Sequence, residues 1–392
     1  MPDAIRPPIP MLDLASEVDG LWDEVRPAVE RVLRSGQFIG GPEVQAFEAE
    51  VAAFLGVRHA VGLNSGTDAL VIALEALGVG PGDEVITTPF SFFATAEAAM
   101  RLGATPLFGD IDPVTLNLDP ETIPPLLSER TKAILPVHLF GLPAKMARIV
   151  EIGRGAGVPV LEDAAQAFGA VYSGACAGCD GARDGACDEA VRSELAGRKV
   201  GALGTAAAFS FYPTKTLGAY GDAGMLTTDD DELAAHARRL RNHGSRPDDK
   251  YVHDLLGHNS RLDALQAAVL RIKLRRLPEA NAARRRVAGW YRDALADAPG
   301  VVLPPDHPDH VFHQFTVQVP AGRLEAVRQA LGAGIAHQRF YPLALSAQPV
   351  MGEVATPPVV AEMCDRVVSL PIHPGLGEGD VRWIADRLCS AL

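Results

Sequence analysis

Basic charge is in short supply in this chain of 392 residues: 36 lysines and arginines face 49 acids, a formal net charge of −13. A nucleic-acid partner is therefore disfavoured, because such binders carry a basic face, although a local basic patch for one phosphorylated ligand remains compatible. Cysteine is also scarce. Five in a chain of this size, without an export signal, read as reduced thiols rather than a disulfide framework. Long apolar runs are missing too, which excludes a hydrophobic membrane-spanning helix. The start, Met1-Pro2-Asp3-Ala4-Ile5-Arg6-Pro7-Pro8, lacks the basic-then-apolar order of a signal peptide, so a cytoplasmic location is expected.

What is present is globular: 47% hydrophobic and 22% charged residues, in a chain too long for one ordinary core. Short β-rich runs alternate with helical stretches from Ala60 to Thr227. That alternation predicts a large α/β/α domain, with a mostly parallel sheet covered on both faces. Ligands of such sheets bind beyond the carboxyl ends of the strands. After about Asn259 the pattern changes. A helix through Leu262, Leu265, Val269 and Ile272 is expected to stop near Pro278, with a second running on to about Leu295. An alternating strand then places Val311, His313, Phe315, Val317 and Val319 on one face. Two domains are expected: residues 1–260, an N-terminal arm and a large ligand-binding domain, and 261–392, long helices leading into a small α+β domain.

Residues 173–196 interrupt this scheme with a small, acidic, loop-like insert. Cys176, Cys179 and Cys187 fall in it, but a structural zinc site wants four ligands and no histidine or fourth cysteine lies nearby. No metal site is expected.

Four segments carry chemistry. Phe209-Ser210-Phe211-Tyr212-Pro213-Thr214-Lys215 sets a lysine just past an apolar run. Desolvation there favours the neutral amine, the form that attacks a carbonyl and makes a Schiff base. Val158-Pro159-Val160-Leu161-Glu162-Asp163 is an apolar strand ending in two acids, of which only one can face a given site. Asp163 is the favoured one, placed to keep a pyridine nitrogen protonated, with Gln166 near the ring hydroxyl; an acid capping the next helix is the plain alternative. Asn64-Ser65-Gly66-Thr67-Asp68 opens a helix after a strand, where free N–H groups make an anion site, or simply an ordinary N-cap. Phe92, between a strand and a helix, offers an aromatic face for stacking, although phenylalanines at such junctions are more often core. Together these are the parts that a lysine-bound pyridoxal phosphate needs.

The ordered motifs Gly-Gly-Pro…Phe-Glu, Ser-Gly-Thr-Asp-Ala-Leu, Pro-Gly-Asp-Glu-Val-Ile, Glu-Asp-Ala-Ala-Gln, Phe-Ser-Phe-Tyr-Pro-Thr-Lys and Gly-Ala-Tyr-Gly-Asp resemble those of the DegT/DnrJ/EryC1/StrS aminotransferases. The resemblance implies a fold-type I pyridoxal-phosphate transferase, like aspartate aminotransferase in fold. It implies transfer of nitrogen from an amino acid, L-glutamate by expectation, to a keto-sugar that is in most of the family nucleotide-linked. By the same resemblance Lys215 bonds the cofactor and later shuttles a proton, and Asp163 pairs with the ring nitrogen. Gln166 would meet the ring oxygen and Phe92 stack on the ring. Gly66, Thr67 and Ser210 would hold the phosphate, and Asn259 would reach it from the other subunit of a homodimer. A keto-cyclitol acceptor, or a non-catalytic regulator that keeps the fold, are the rival readings. The sequence departs from the family pattern in the 173–196 insert and at Phe340-Tyr341-Pro342-Leu343-Ala344-Leu345-Ser346-Ala347-Gln348, where relatives often carry two histidines. His313 is expected to be packed and hydrogen-bonded, and Arg284-Arg285-Arg286 to form a solvated helix face.

Overall fold

The computed structural model describes residues 7–175, 187–332 and 334–392. Seven strands form the central sheet: β1 (His59–Leu63), β2 (Glu84–Thr87), β3 (Thr105–Phe108), β4 (Thr131–Ile134), β5 (Leu161–Asp163), β6 (Ala206–Ser210) and β7 (Gly224–Thr228). They lie in the order β1-β7-β6-β5 and β3-β2-β4, and the parallel bridges Ile134 to Val160 and Val137 to Asp163 join the two sets. All pairs are parallel except the two made by β7, which runs against β1 and β6. The mostly parallel sheet expected from the alternation is therefore present.

Eleven α-helices are found among the described residues: α1 (Leu14–Ser35), α2 (Gly41–Leu55), α3 (Gly66–Ala76), α4 (Ala94–Arg101), α5 (Met146–Ala156), α6 (Glu189–Leu195), α7 (Asp231–Leu240), α8 (Ala264–Ala294), α9 (Leu324–Leu331), α10 (Pro358–Cys364) and α11 (Glu378–Cys389). Alternate strand residues feed opposite cores, as the pleat requires. Ala206 and Ala208 of β6 pack with α3, α4 and α7, whereas Ala207 and Phe209 pack with α1, α2, α5 and α8. Helix α3 is apolar almost all round, and Ala69 to Leu74 are all buried. A second sheet pairs β8 (Phe315–Gln318) with β9 (Val367–Leu370) antiparallel. Tyr291, Val327, Ile384 and Leu388 close over it, and the Tyr291 and Phe315 rings stack at 4.6 Å.

Three expectations need correction. Helix α8 runs unbroken through Pro278 instead of stopping there. A proline removes a single N–H, and burial of Leu274 and Leu277 on one side, with Asn281 Nδ2 donating to the Phe168 carbonyl at 3.3 Å, holds both halves in line. The strand read over 311–319 is paired only at Phe315–Gln318. Phe312 takes a left-handed backbone with φ 50°, and Val311 and Gln314 donate instead to the carbonyls of Gly141 and Phe140. Arg284 is not on a solvated face: it is buried and donates to the Ile372 carbonyl at 2.7 Å, while Arg285 and Arg286 are exposed. Burial pushes its guanidinium down to about 10.

The insert closes on itself at its neck. Tyr172 and Arg198 are joined by a backbone hydrogen bond of 2.8 Å, and Gly197 returns one of 2.7 Å to Tyr172. Its last part folds as α6, tied to α5 through Arg154 and Glu194. Cys176 and Cys179 lie outside the described residues. Among those described, no group of three histidine, cysteine or acidic side chains could hold a metal, and no helix is long and apolar enough to cross a membrane.

Candidate active site

Because β6 and β7 are antiparallel neighbours, the segment between them must leave and re-enter the sheet at one edge. That segment carries Tyr212, Thr214 and Lys215 over the carboxyl ends of β5 and β6. The start of α3 and the loop before α4 meet it there, around a cavity of about 540 Å³. Gly66, Thr67, Phe92, Asp163, Gln166, Ser210 and Lys215 all line this one cavity. Asn259 does not. It is exposed elsewhere and accepts a hydrogen bond from Arg261.

The two acids at the end of β5 divide as strand alternation requires. Glu162 points to the far face, where it accepts N–H groups from Gly201, Leu203 and Gly204 at 2.8–2.9 Å and faces His138 Nε2 at 3.0 Å. Asp163 faces the cavity. It accepts from the Thr95 hydroxyl at 2.8 Å and from the Ala165 N–H at 3.3 Å. Burial raises its pKa, and those hydrogen bonds together with the Lys215 charge oppose the rise. Burial likewise holds the Lys215 amine below the usual lysine range, against the pull of Asp163. The amine is thus shifted toward its nucleophilic form.

At the other end, Ser65 caps α3 by accepting from the Asp68 N–H at 3.1 Å, so the ordinary N-cap is real. The opening N–H groups of Gly66 and Thr67 border the cavity beside Ser210. A side chain at Gly66 would put its Cβ 2.5 Å from Ser210 Cβ, so only glycine lets the two backbones approach this closely. The donors suit a phosphate. Phe92 is 61% exposed at the cavity wall, an open aromatic face rather than core. Anion cradle, aromatic face, carboxylate and desolvated amine around one space are the donor set that pyridoxal phosphate requires, so these residues fit that group.

Several cavity residues escaped the sequence reading. Gln166 Oε1 accepts from the Phe140 N–H at 2.7 Å, so its Nε2 end donates to the Tyr341 hydroxyl at 3.0 Å. Tyr341 is raised by burial and keeps its proton. His313 lines the cavity as well, its Nδ1 without a partner, and burial and the Lys215 charge keep its ring neutral. The expectation that it is packed is met, while its Nδ1 lacks the hydrogen bond expected of it. Thr95 had a usable signal: it lies one helical turn beyond Phe92, so both reach the same space.

A parallel sheet with one reversed strand, and a buried lysine facing a carboxylate across its carboxyl edge, define a fold-type I pyridoxal-phosphate transferase. Residues 21–389 match the model of the DegT/DnrJ/EryC1/StrS aminotransferase family, and the chain belongs to that family. It is 44% identical over 390 residues to the "pleiotropic regulatory protein" of Geobacillus stearothermophilus, covering 97% of this chain and 98% of that one. It is also 44% identical over 382 residues, 96% of each chain, to the UDP-N-acetyl-3-dehydro-alpha-D-glucosamine 3-aminotransferase of Acidithiobacillus ferrooxidans. Among solved structures, S. venezuelae DesV in complex with a ketimine intermediate superposes with a TM-score of 0.88 at 40% identity, covering 98% of each chain. The protein is a pyridoxal-phosphate-dependent aminotransferase.

Proposed function

We propose that this enzyme moves an amino group from an amino acid, L-glutamate by preference, to the carbonyl of a nucleotide-linked keto-sugar in amino-sugar biosynthesis. The observation that carries the reading is the placement of Lys215 and Asp163 on one cavity with an anion cradle at its end. The activity for which the A. ferrooxidans relative is named supports the sugar class. The chemistry that the bound cofactor supplies is a carbonyl for the amine and a ring that draws electrons from the substrate carbon. Lys215 Nζ, shifted toward its neutral form by desolvation, would hold the cofactor as a nucleophile and would move the proton to and from the substrate carbon. Asp163 keeps a proton on the ring nitrogen. Gly66, Thr67 and Ser210 would bind the phosphate, Phe92 would stack on the ring, and Gln166 would orient the ring oxygen. Asn259 completes the phosphate site of the other subunit, so the homodimer is the working unit.

Lys215→Ala tests this directly. It should abolish turnover and the visible absorbance of the cofactor–protein adduct while the far-ultraviolet circular dichroism stays unchanged; full turnover would discard the mechanism. Assays with nucleotide keto-sugars beside keto-inositols, following amino product by mass spectrometry, separate the sugar acceptor from a cyclitol. A regulatory role, suggested by the name of the G. stearothermophilus relative, is opposed by the complete Lys215, Asp163 and Ser210 set. It would gain support only if no amino acid donated nitrogen to the loaded protein.

A further inference from the structure

Three hydroxyl and carboxyl groups in the cavity wall form one line. Ser91 Oγ lies 2.9 Å from Thr95 Oγ1, and Thr95 Oγ1 lies 2.8 Å from Asp163 Oδ2. All three side chains are buried, and all three border the cavity. The direction of the chain follows from valence. An ionised carboxylate only accepts, so the single Thr95 proton goes to Asp163. The Thr95 oxygen must then accept from Ser91. The two contacts run one way, from Ser91 through Thr95 to Asp163.

We propose that Thr95, supported by Ser91, is the positioning residue that keeps Asp163 ionised and aimed at the ring nitrogen. Resting on the cofactor reading above, the proposal concerns what holds the carboxylate rather than what the carboxylate holds. Asp163 sits where desolvation works against its charge, and among the described residues no guanidinium pairs with it. What faces it across the cavity is Lys215 from the segment after β6 and Tyr341 from the 340–342 segment, while His138, from the segment after β4, acts on it only from the far face, where its ring meets Glu162. Lys215 is itself shifted toward neutrality and becomes covalently engaged in the working enzyme, so its charge is an unsteady support. The Thr95 hydroxyl is a fixed one. With Oδ2 occupied by Thr95, Oδ1 carries only the long 3.3 Å contact from the Ala165 N–H, and is the oxygen left for the cavity. A protonated Asp163 would donate to the ring nitrogen instead of accepting from it, and the ring would lose its positive charge.

The test compares Thr95→Val, which keeps the shape and removes the hydroxyl, with Thr95→Ser, which keeps the hydroxyl. In apoprotein carrying carbon-13 at aspartate carboxyls, Asp163 of Thr95→Val should titrate at higher pH than wild type, and Thr95→Ser should restore it. Equilibrium dialysis should show pyridoxal phosphate bound about tenfold more weakly or worse by Thr95→Val, the scale of one hydrogen bond to a charged group. In the loaded enzyme kcat should fall by a similar factor while the acceptor KM changes by less than about twofold. Ser91→Ala, which leaves Thr95 in place, should move each readout in the same direction by about threefold, and it carries the test should Thr95→Val not fold. Unchanged titration and cofactor affinity in Thr95→Val, or a Thr95→Ser that fails as badly as Thr95→Val, would overturn the proposal. Lys215→Ala, run in parallel, separates the outcomes: full turnover there defeats the cofactor reading, whereas silent Thr95 variants beside a dead Lys215→Ala defeat only the relay.

Discussion

Lys215 shows how one side chain is made reactive at the expense of the fold. Its folded pKa lies below its unfolded value because burial disfavours the ammonium. Between those two values the unfolded chain binds a proton that the folded chain does not, so stability rises with pH across that window. Below the folded value the full cost is present, and above about 10.4 it is gone. Lys215→Met should therefore raise the melting temperature of the apoprotein at pH 7, by about 2 °C or more, and the advantage should vanish near pH 10.5. Calorimetry of both apoproteins across that pH range checks the sign. Lys215, Asp163 and Gly66 could be singled out in the sequence because each sits in a short run whose local structure is strongly determined, whereas Ser210 was reached only through the family resemblance. Tyr341 and His313 were not legible as site residues. They come from a segment with little regular structure and from a stretch whose apparent alternation breaks at Phe312, so only tertiary contacts bring them to the cavity.

Strand β5 is short, yet it organises both sides of the sheet. Asp163 serves the cavity, and Glu162, one residue earlier, gathers the backbone of 201–204 on the opposite face. Glu162 is fully buried, and its oxygens meet three backbone N–H groups and the His138 ring. Removing it would strand those donors without water. Glu162→Ala should cost about 3 kcal/mol or more in a urea unfolding experiment. Asp163→Asn, which keeps the shape of the side chain but not its charge, should leave stability nearly intact and remove most of kcat. At the same scale, α3 and β6 meet so closely that Gly66→Ala must push Ser210 away. Cofactor affinity should fall about tenfold or more, measured by equilibrium dialysis of the apoprotein. The helix N-terminus and its glycine could be read from Ser-Gly-Thr-Asp. The contact with Ser210 could not, because the two residues are far apart in the chain and adjacent only through the sheet order.

The whole molecule leaves large apolar side chains exposed, among them Trp22, Phe38, Ile39, Tyr251 and Leu256. The proposed homodimer should cover part of this apolar surface. If Asn259 serves the neighbouring site, inactive Lys215→Ala and Asn259→Ala chains should complement each other. A hybrid dimer keeps one intact site, so equal mixing and reassociation should recover about a quarter of wild-type activity. Recovery no greater than the sum of the parents would show that each chain supplies its own Asn259.

By itself the sequence determined the fold class, the cofactor chemistry and the separation of Glu162 from Asp163. Each of these is written in local periodicity or in a motif whose residues act where they stand. Tertiary structure alone decided that α8 continues through Pro278, that Arg284 is buried, and that His313 and Tyr341 share a wall with Lys215. Those outcomes depend on which distant surfaces pack together, and burial across such contacts outweighs what a proline, a charge run or an alternating stretch prefers locally.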